Sequence, residues 1–237
     1  MDGSEVLVEL IEVTKDYRAL RPLRVRHLEL CVGDPVALLG VDAAMSEVLV
    51  NLITGAQLPD TGEVRVFGRP TSAITAVDEW VTALDRFGLI SERALLVDQF
   101  TAEQNLALPL SLEIDNLQPS LRGEVRQLAS EVGLTEEELA APTAALGADA
   151  QLRLRLGRAL ALRPRVLIAE HPNARLGGAE LPRFAADFAR VARNRRLASL
   201  VTTADATFAS ALTDRVLRFQ PASGLLKPSP GWRRWFS

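Results

Sequence analysis

A short stretch near the start of the chain has the outline of a phosphate-binding loop. Residues 38–55 read LLGVDAAMSEVLVNLITG, an apolar run followed by a glycine, small residues and an amphipathic helix. Such a loop points successive backbone N–H groups at phosphate oxygens, and it needs a lysine and then a serine or threonine where its helix starts. Those positions hold Ser46 and Glu47. The stretch therefore predicts the geometry of a phosphate site without its usual cation.

Further along the chain, two apolar runs end in residues that could do chemistry. RVLIAE (165–170) and LASLVTT (197–203) are predicted to be buried strands, each followed by helical sequence. Strand, helix and strand in that order predict a parallel sheet. Glu170 and His171 stand at the end of the first strand, and a neutral imidazole can act as a base near pH 7.

The elements that must position these residues can be predicted from periodicity. Alternating apolar and polar residues predict half-buried antiparallel strands at 5–17 and 25–32, and EVRVFG predicts another strand after the turn at 59–62. Residues from about 102 to 157 have the composition and spacing of a block of helices. The segment beyond Gln220 is expected to be loosely structured.

Composition excludes several classes of protein. A length of 237 residues suits one α/β domain, and no run approaches the roughly 20 apolar residues of a membrane-spanning helix. No secretion signal is predicted, so we expect a cytosolic protein. The single cysteine, Cys31, agrees with a reducing compartment and is expected as a small buried residue on a strand. A net charge of −3 does not indicate the excess of basic residues that is typical of nucleic-acid binding.

Three segments carry a family resemblance: NLITGAQLPDTGEVRVFGRP, FTAEQNLALPLSL (100–112) and GRALALRPRVLIAEHP (157–172). Their order resembles that of the ATP-binding subunits of ABC transporters, most closely the lipoprotein-release and macrolide-export type that drives an FtsX-like permease. The resemblance implies an α/β, P-loop NTPase fold of the ABC type, with a RecA-like parallel-sheet core, an antiparallel β subdomain and an α-helical subdomain at about 93–160. It predicts one domain over 1–226 and a C-terminal tail at 227–237.

The family's phosphate loop, GPSGSGKST, is matched at its first glycine only. The aligned positions are Gly40, Val41, Asp42, Ala43, Ala44, Met45, Ser46 and Glu47. Ala43 and Met45 restrict the backbone, Ser46 removes the cation and Glu47 adds an anion. Two charges 4 Å apart interact by roughly 4 kcal/mol at an effective dielectric near 20. We therefore expect a vestigial loop with severely weakened phosphate binding.

Other family motifs are also altered in this chain. The resemblance places the metal-reaching glutamine at Glu92, the metal-holding aspartate at Glu170 and the catalytic glutamate at His171. It places the switch histidine at Ala204, or at Thr203 in an alternative alignment, and it predicts possible adenine stacking at Tyr17. The signature LSGGQ falls on Leu146, Gly147, Ala148, Asp149 and Ala150. The carboxylate of Asp149 is expected to repel the phosphate that a signature segment binds.

These substitutions together predict a catalytically inactive pseudo-ATPase rather than an enzyme, with no ATP, Mg²⁺ or other metal expected. Its predicted partners are a competent ABC ATPase subunit, as a heterodimer rather than a homodimer, and an FtsX-like permease. The expected location is cytoplasmic, peripheral on the inner face of the cell membrane. Two alternatives remain: an active ATP-hydrolysing subunit that uses Glu170 and His171, and a soluble regulatory or interaction protein without a permease.

Two basic stretches have competing interpretations. QLRLRLGRALALRPR (151–165) looks like a nucleic-acid element, but the resemblance places it on a packed, partly solvated helix. The tail PGWRRWFS (230–237) mixes aromatic residues with Arg233 and Arg234, a combination suited to a membrane interface or a partner groove. Packing back onto the domain is the other interpretation of the tail.

Overall fold

The structure is a computed structural model that describes residues 5–229. The strands are β1 (Val6–Lys15), β2 (Leu23–Cys31), β3 (Pro35–Leu39), β4 (Thr61–Val66), β5 (Arg69–Pro70), β6 (Phe87–Ile90), β7 (Val166–Glu170), β8 (Ala198–Thr203), β9 (Val216–Gln220) and β10 (Leu225–Pro228). The helices are α1 (Ala43–Ile53), α2 (Val77–Leu84), α3 (Ala102–Ala107), α4 (Pro119–Val132), α5 (Glu136–Ala140), α6 (Ala148–Leu160), α7 (Glu180–Asn194) and α8 (Ala206–Leu212).

A six-stranded sheet in the order β10-β9-β3-β8-β7-β6 forms the centre of the molecule. Strands β6, β7, β8, β3 and β9 are parallel, and β10 pairs antiparallel with β9. Every residue of β7 and β8 is buried, as expected for parallel strands covered on both faces. In register, Glu170 lies beside Thr202, and Leu39 lies beside Thr203. The carboxyl ends of β3, β7 and β8 therefore meet at one edge of the sheet.

A second, antiparallel sheet has the order β2-β1-β4-β5. The alternation of buried and exposed residues in β2 and β4 puts their apolar side chains into one core with β3 and α1. Gly62 permits the close approach of β4 to β1. Its φ is +81°, and a side chain there would collide with the backbone of Glu12. The expected antiparallel sheet is confirmed.

Helices α3 to α6 lie between β6 and β7 in the chain, and they confirm the expected helical block. Thr101 and Thr135 begin α3 and α5 with capping boxes, each accepting a hydrogen bond from the third helical residue. These helices share an apolar core with α7 and α8. The parallel core, antiparallel sheet and helical segment confirm the predicted fold class, whereas the exact domain boundaries stay a prediction.

Some predictions from local sequence are wrong. The segment after Gln220 was expected to be loose, but it contains strand β10, which forms a hairpin with β9. Cys31 ends β2 but is half-buried rather than enclosed. The tail at 230–237 lies outside the described residues. Within 5–229, none of the helices is both long and apolar enough to cross a bilayer.

Candidate functional site

The turn from β3 into α1 has the form predicted for a phosphate loop. Gly40 has a φ of +84°, and a Cβ there would lie 3.2 Å from the carbonyl oxygen of Phe219. Asp42 is the N-cap of α1, and its side chain accepts a hydrogen bond from the N–H of Met45 at 2.8 Å. Because aspartate is a strong N-cap, α1 begins at Ala43. The strand–turn–helix geometry is therefore present, with one backbone donor already engaged.

Ser46 occupies the position of the lysine in a phosphate-binding loop, and its side chain faces the protein interior. It is fully buried, and its hydroxyl lies 2.8 Å from Oγ1 of Thr202 on β8. The same threonine oxygen accepts a hydrogen bond from the N–H of His171 at 3.3 Å. Ser46 thus fastens α1 to the carboxyl edge of the sheet and brings no charge. Helix α1 itself contains no lysine or arginine.

The cation at this edge comes from another segment. Arg93, after β6, donates from Nη1 to Oε1 of Glu47 at 3.1 Å. Its Nη2 donates to both carboxylate oxygens of Glu170, at 2.8 and 2.9 Å. Glu170 is buried, whereas the side chains of Arg93 and Glu47 are 41% and 50% exposed. One guanidinium therefore joins the first turns of α1 to the end of β7.

His171 follows β7 in an unusual conformation. Its φ is +44°, in the left-handed region that non-glycine residues seldom occupy and that is found at functional sites. Its N–H donates to the carbonyl of Thr202 at 3.0 Å. Nε2 of its ring is buried without a hydrogen-bond partner among the described residues. A buried ring nitrogen without a partner is suited to a hydrogen bond with a bound ligand.

Glu92 does not share the partners of its neighbour Arg93. It is exposed, and it lies 3.7 Å from Arg155 on α6 and 3.9 Å from Arg175 after β7. These ion pairs fit the interpretation of Glu92 as a solvated acid of the loop. Its role as a counterpart of the metal-reaching glutamine stays a prediction.

The segment aligned with the signature begins α6. Leu146 and Ala150 are buried, Gly147 is the N-cap, and Asp149 lies in the first turn. The Asp149 carboxylate accepts a hydrogen bond from Nε of Arg153 at 2.8 Å. The charge expected to repel a phosphate is therefore paired within its own helix.

Arg153 is itself almost fully buried and has three partners. Besides Asp149, its Nη1 donates to the carbonyl of Val132 and to Oδ2 of Asp187, both at 2.8 Å. Arg153 thus joins α6 to α4 and α7. Arg158 on α6 donates to the carbonyl of Leu95 at 2.6 Å. These contacts agree with a packed helix over 151–160 rather than a nucleic-acid element.

Two further predicted positions lie around the same edge. Ala204 follows β8 and is exposed, while the neighbouring Asp205 caps α8 through the N–H groups of Thr207 and Phe208. Tyr17 is half-buried beside the apolar core that contains α1. Burial raises the pKa of the Tyr17 hydroxyl, and the nearby carboxylate of Asp42 raises it further. The cluster against which Tyr17 packs includes Val41 of the turn, and its stacking role stays a prediction.

The residues at the carboxyl edge of the sheet supply some of the groups that would bind a nucleoside triphosphate with Mg²⁺. The carboxylates of Glu47 and Glu170 are hard oxygen ligands of the kind that Mg²⁺ prefers, and Nε2 of His171 is a buried polar atom without a partner. Arg93 supplies a donor fork suited to phosphate oxygens. Sequence reasoning missed Arg93, because only its place beside Glu92 set it apart in its own segment.

Comparison with solved structures defines the class of the fold. A dimeric ATP-binding cassette in a post-hydrolysis state, bound to ADP and Pi, matches with a TM-score of 0.75 at 21% identity, covering 91% of this chain and 95% of that one. CbiO1 from Clostridium perfringens, part of the ABC transporter complex cbiONQ, matches with a TM-score of 0.74 at 16% identity over 94% of this chain and 86% of that one. The fold is that of an ABC ATPase domain.

Sequence relatives define the family, although no protein-family model matches the chain. The lipoprotein-releasing system ATP-binding protein LolD of Maricaulis maris is 31% identical over 233 residues, which are 95% of this chain and 98% of that protein. The methionine import ATP-binding protein MetN of Rhizobium etli is 27% identical over 90% of this chain, which spans only 58% of that relative. The chain belongs to the family of ABC-transporter ATP-binding subunits that includes LolD.

Family membership corrects two predictions made from the sequence. The prediction that the chain is not an enzyme is wrong, and so is the prediction that no ATP or Mg²⁺ is expected, because its relatives over nearly the whole chain are ATP-binding subunits. The physical reason for the error is that phosphate binding and catalysis were judged only from the residues at the family's motif positions. A guanidinium that arrives from a different segment, as Arg93 does, is invisible in that motif.

Proposed function

We propose that this chain binds and hydrolyses ATP at the carboxyl edge of β3, β7 and β8, and that it thereby drives a membrane permease. The observation that carries the proposal is the β3–α1 turn, with Gly40 at a φ of +84°, and the contact of the Arg93 guanidinium with Glu47 on the helix that follows it. Backbone N–H groups at the start of a helix favour anions, and a guanidinium adds two-pronged recognition of phosphate. Its relatives are ATP-binding proteins, which also supports the proposal.

In this proposal, each residue at the edge has its own task. Glu47 and Glu170 would hold Mg²⁺, which supplies charge neutralisation at the phosphates when bound. Tyr17 stacks on the base. His171 takes a proton from the attacking water at Nε2, the ring atom that is buried without a partner within residues 5–229. The left-handed backbone of His171 turns the chain sharply at the end of β7.

The assembly we propose is a dimer with a second ATP-binding subunit beneath an FtsX-like permease, at the inner face of the cell membrane. The LolD likeness over 98% of that relative supports the lipoprotein-release type that the sequence resembles. A solved cassette with this fold is dimeric. We propose a heterodimer, because Gly147 lacks the hydroxyl that the resembling family uses at the signature.

A charge placed at the turn tests ATP binding. Ala44 is exposed in the first turn of α1, so Ala44→Glu adds a carboxylate where phosphate would bind. An acid in the first turn stabilises a helix by about 0.3–1 kcal/mol, so the variant is expected to fold. Ser120→Glu makes the same addition in the first turn of α4, away from the turn. Calorimetry with ATP and Mg²⁺ should show binding by wild type and Ser120→Glu and none by Ala44→Glu.

Hydrolysis and assembly are tested separately. Release of inorganic phosphate should fall at least about 100-fold in His171→Ala while ATP still binds, since general bases contribute about that much or more. Affinity purification from native membranes should recover a permease and a second ATP-binding subunit. Recovery without any membrane protein would instead favour a soluble regulatory protein.

A further inference from the structure

We propose that Arg93 is the residue that binds nucleotide phosphate as a cation in this chain, replacing a lysine on the phosphate loop with an arginine from the segment after β6. The inference rests on the proposed function, because it presupposes that ATP binds at the β3–α1 turn. It adds to that function the source of the positive charge.

The position of the guanidinium supports this role. It is held between Glu47, in the second turn of α1, and Glu170, at the end of β7, at distances of 3.1 and 2.8 Å. These two elements flank the turn that carries Asp42 and the first N–H groups of α1. A ligand whose phosphates meet those N–H groups therefore comes within reach of Arg93.

Arg93 keeps donors available for a ligand. A guanidinium has five N–H donors. Nη2 donates to both carboxylate oxygens of Glu170, and Nη1 donates to Glu47. Nε–H and the second hydrogen of Nη1 have no partner within residues 5–229. The side chain is 41% exposed, so a phosphate can approach it without unfolding of the loop.

The loop that carries Arg93 is fixed on both sides. Glu92 forms ion pairs with Arg155 and Arg175, and the carbonyl of Leu95 accepts a hydrogen bond from Arg158 at 2.6 Å. Arg155 and Arg158 both belong to α6. The guanidinium is therefore oriented before a ligand arrives, which lowers the entropy lost on binding.

The charge balance at the edge makes Arg93 necessary for an anion. Glu47 and Glu170 carry two negative charges, Arg93 carries one positive charge, and α1 provides no cation of its own. Without Arg93, a bound Mg²⁺ would be left to offset the two carboxylates and the phosphates together. The carboxylates orient the guanidinium in the free chain, and phosphate oxygens take up its remaining donors.

Titration of ATP with Mg²⁺ into four purified proteins tests the inference. They are wild type, Arg93→Ala, Arg93→Lys and Arg126→Ala. Arg126 is a matched control, since it is exposed on α4 and also faces two carboxylates, those of Glu103 and Glu136, at 3.8 and 3.9 Å. We expect Arg93→Ala to weaken ATP binding at least about 10-fold, Arg93→Lys to recover part of that loss, and Arg126→Ala to match wild type.

The outcomes separate this inference from the proposed function. If wild type binds ATP and Arg93→Ala binds it as tightly or more tightly, the role of Arg93 is overturned while ATP binding stands. A lysine variant as weak as the alanine variant also contradicts a charge-based role. If wild type shows no binding, both the proposed function and this inference are overturned. Thermal melting of each variant confirms that a loss of affinity is measured on folded protein.

Discussion

Replacement of Arg153 by methionine should destabilise the chain substantially. The guanidinium is 5% exposed and donates three hydrogen bonds at 2.8 Å, to Asp149, Asp187 and the carbonyl of Val132. Methionine keeps much of the side-chain volume, but it leaves Asp149 without its ion-pair partner and Asp187 with Arg190 alone. The contact that joins α4, α6 and α7 is thereby lost.

The magnitude follows from burial of the partners. Breaking a fully buried ion pair costs about 3–5 kcal/mol. Asp149 and Asp187 are 28% and 32% exposed, so water compensates part of the loss after substitution. We therefore expect the free energy of unfolding to fall by about 2–3 kcal/mol at pH 7. The same substitution at the exposed Arg126 should cost less than about 1 kcal/mol.

The dependence on pH gives a second check. Burial raises the pKa of the Asp187 carboxyl, but hydrogen bonds from Arg153 and Arg190 lower it by more, so the pKa lies below its ordinary value. A lowered pKa in the folded state contributes stability above the ordinary pKa, and this stability is lost as pH falls through the lowered value. The difference between wild type and Arg153→Met should therefore shrink below about pH 4.

Urea unfolding followed by circular dichroism at pH 7 and near pH 3 measures both effects. Urea is uncharged, so it leaves the ion pairs unscreened. The reasoning is refuted if Arg153→Met stays within about 0.5 kcal/mol of wild type at pH 7, or if Arg126→Met is destabilised as much.

Further predictions concern the packing and capping around the site. Gly88→Ala on β6 should lose about 1–3 kcal/mol of stability, because the new methyl group meets the carbonyl of Ala159 on α6. Gly123→Ala on α4 faces open space and should gain about 0.5–1 kcal/mol, and urea unfolding of both variants checks the contrast. Asp205→Ala removes the N-cap that accepts hydrogen bonds at 2.8 and 3.0 Å, so thermal melting should report a loss of about 1 kcal/mol.

The sequence predicted the central features of the fold where the physical signal is local. Continuous apolar runs identified β7 and β8, and a glycine followed by small residues located the β3–α1 turn. Strand β10 was missed because an edge strand of four partly exposed residues is fixed by pairing with β9 rather than by its own periodicity. Arg93 was missed because its contacts with Glu47 and Glu170 span 46 and 77 positions of the chain. Long-range ion pairs leave no pattern in a local window.

The central claim is that this chain binds ATP at the turn between β3 and α1. Equilibrium titration of ATP with Mg²⁺ into the purified chain, beside Ala44→Glu and Ser120→Glu, tests it most directly. We predict saturable binding of one ATP per chain to wild type and Ser120→Glu, and none to Ala44→Glu. No saturable binding to wild type, or equal binding to Ala44→Glu, would contradict the claim.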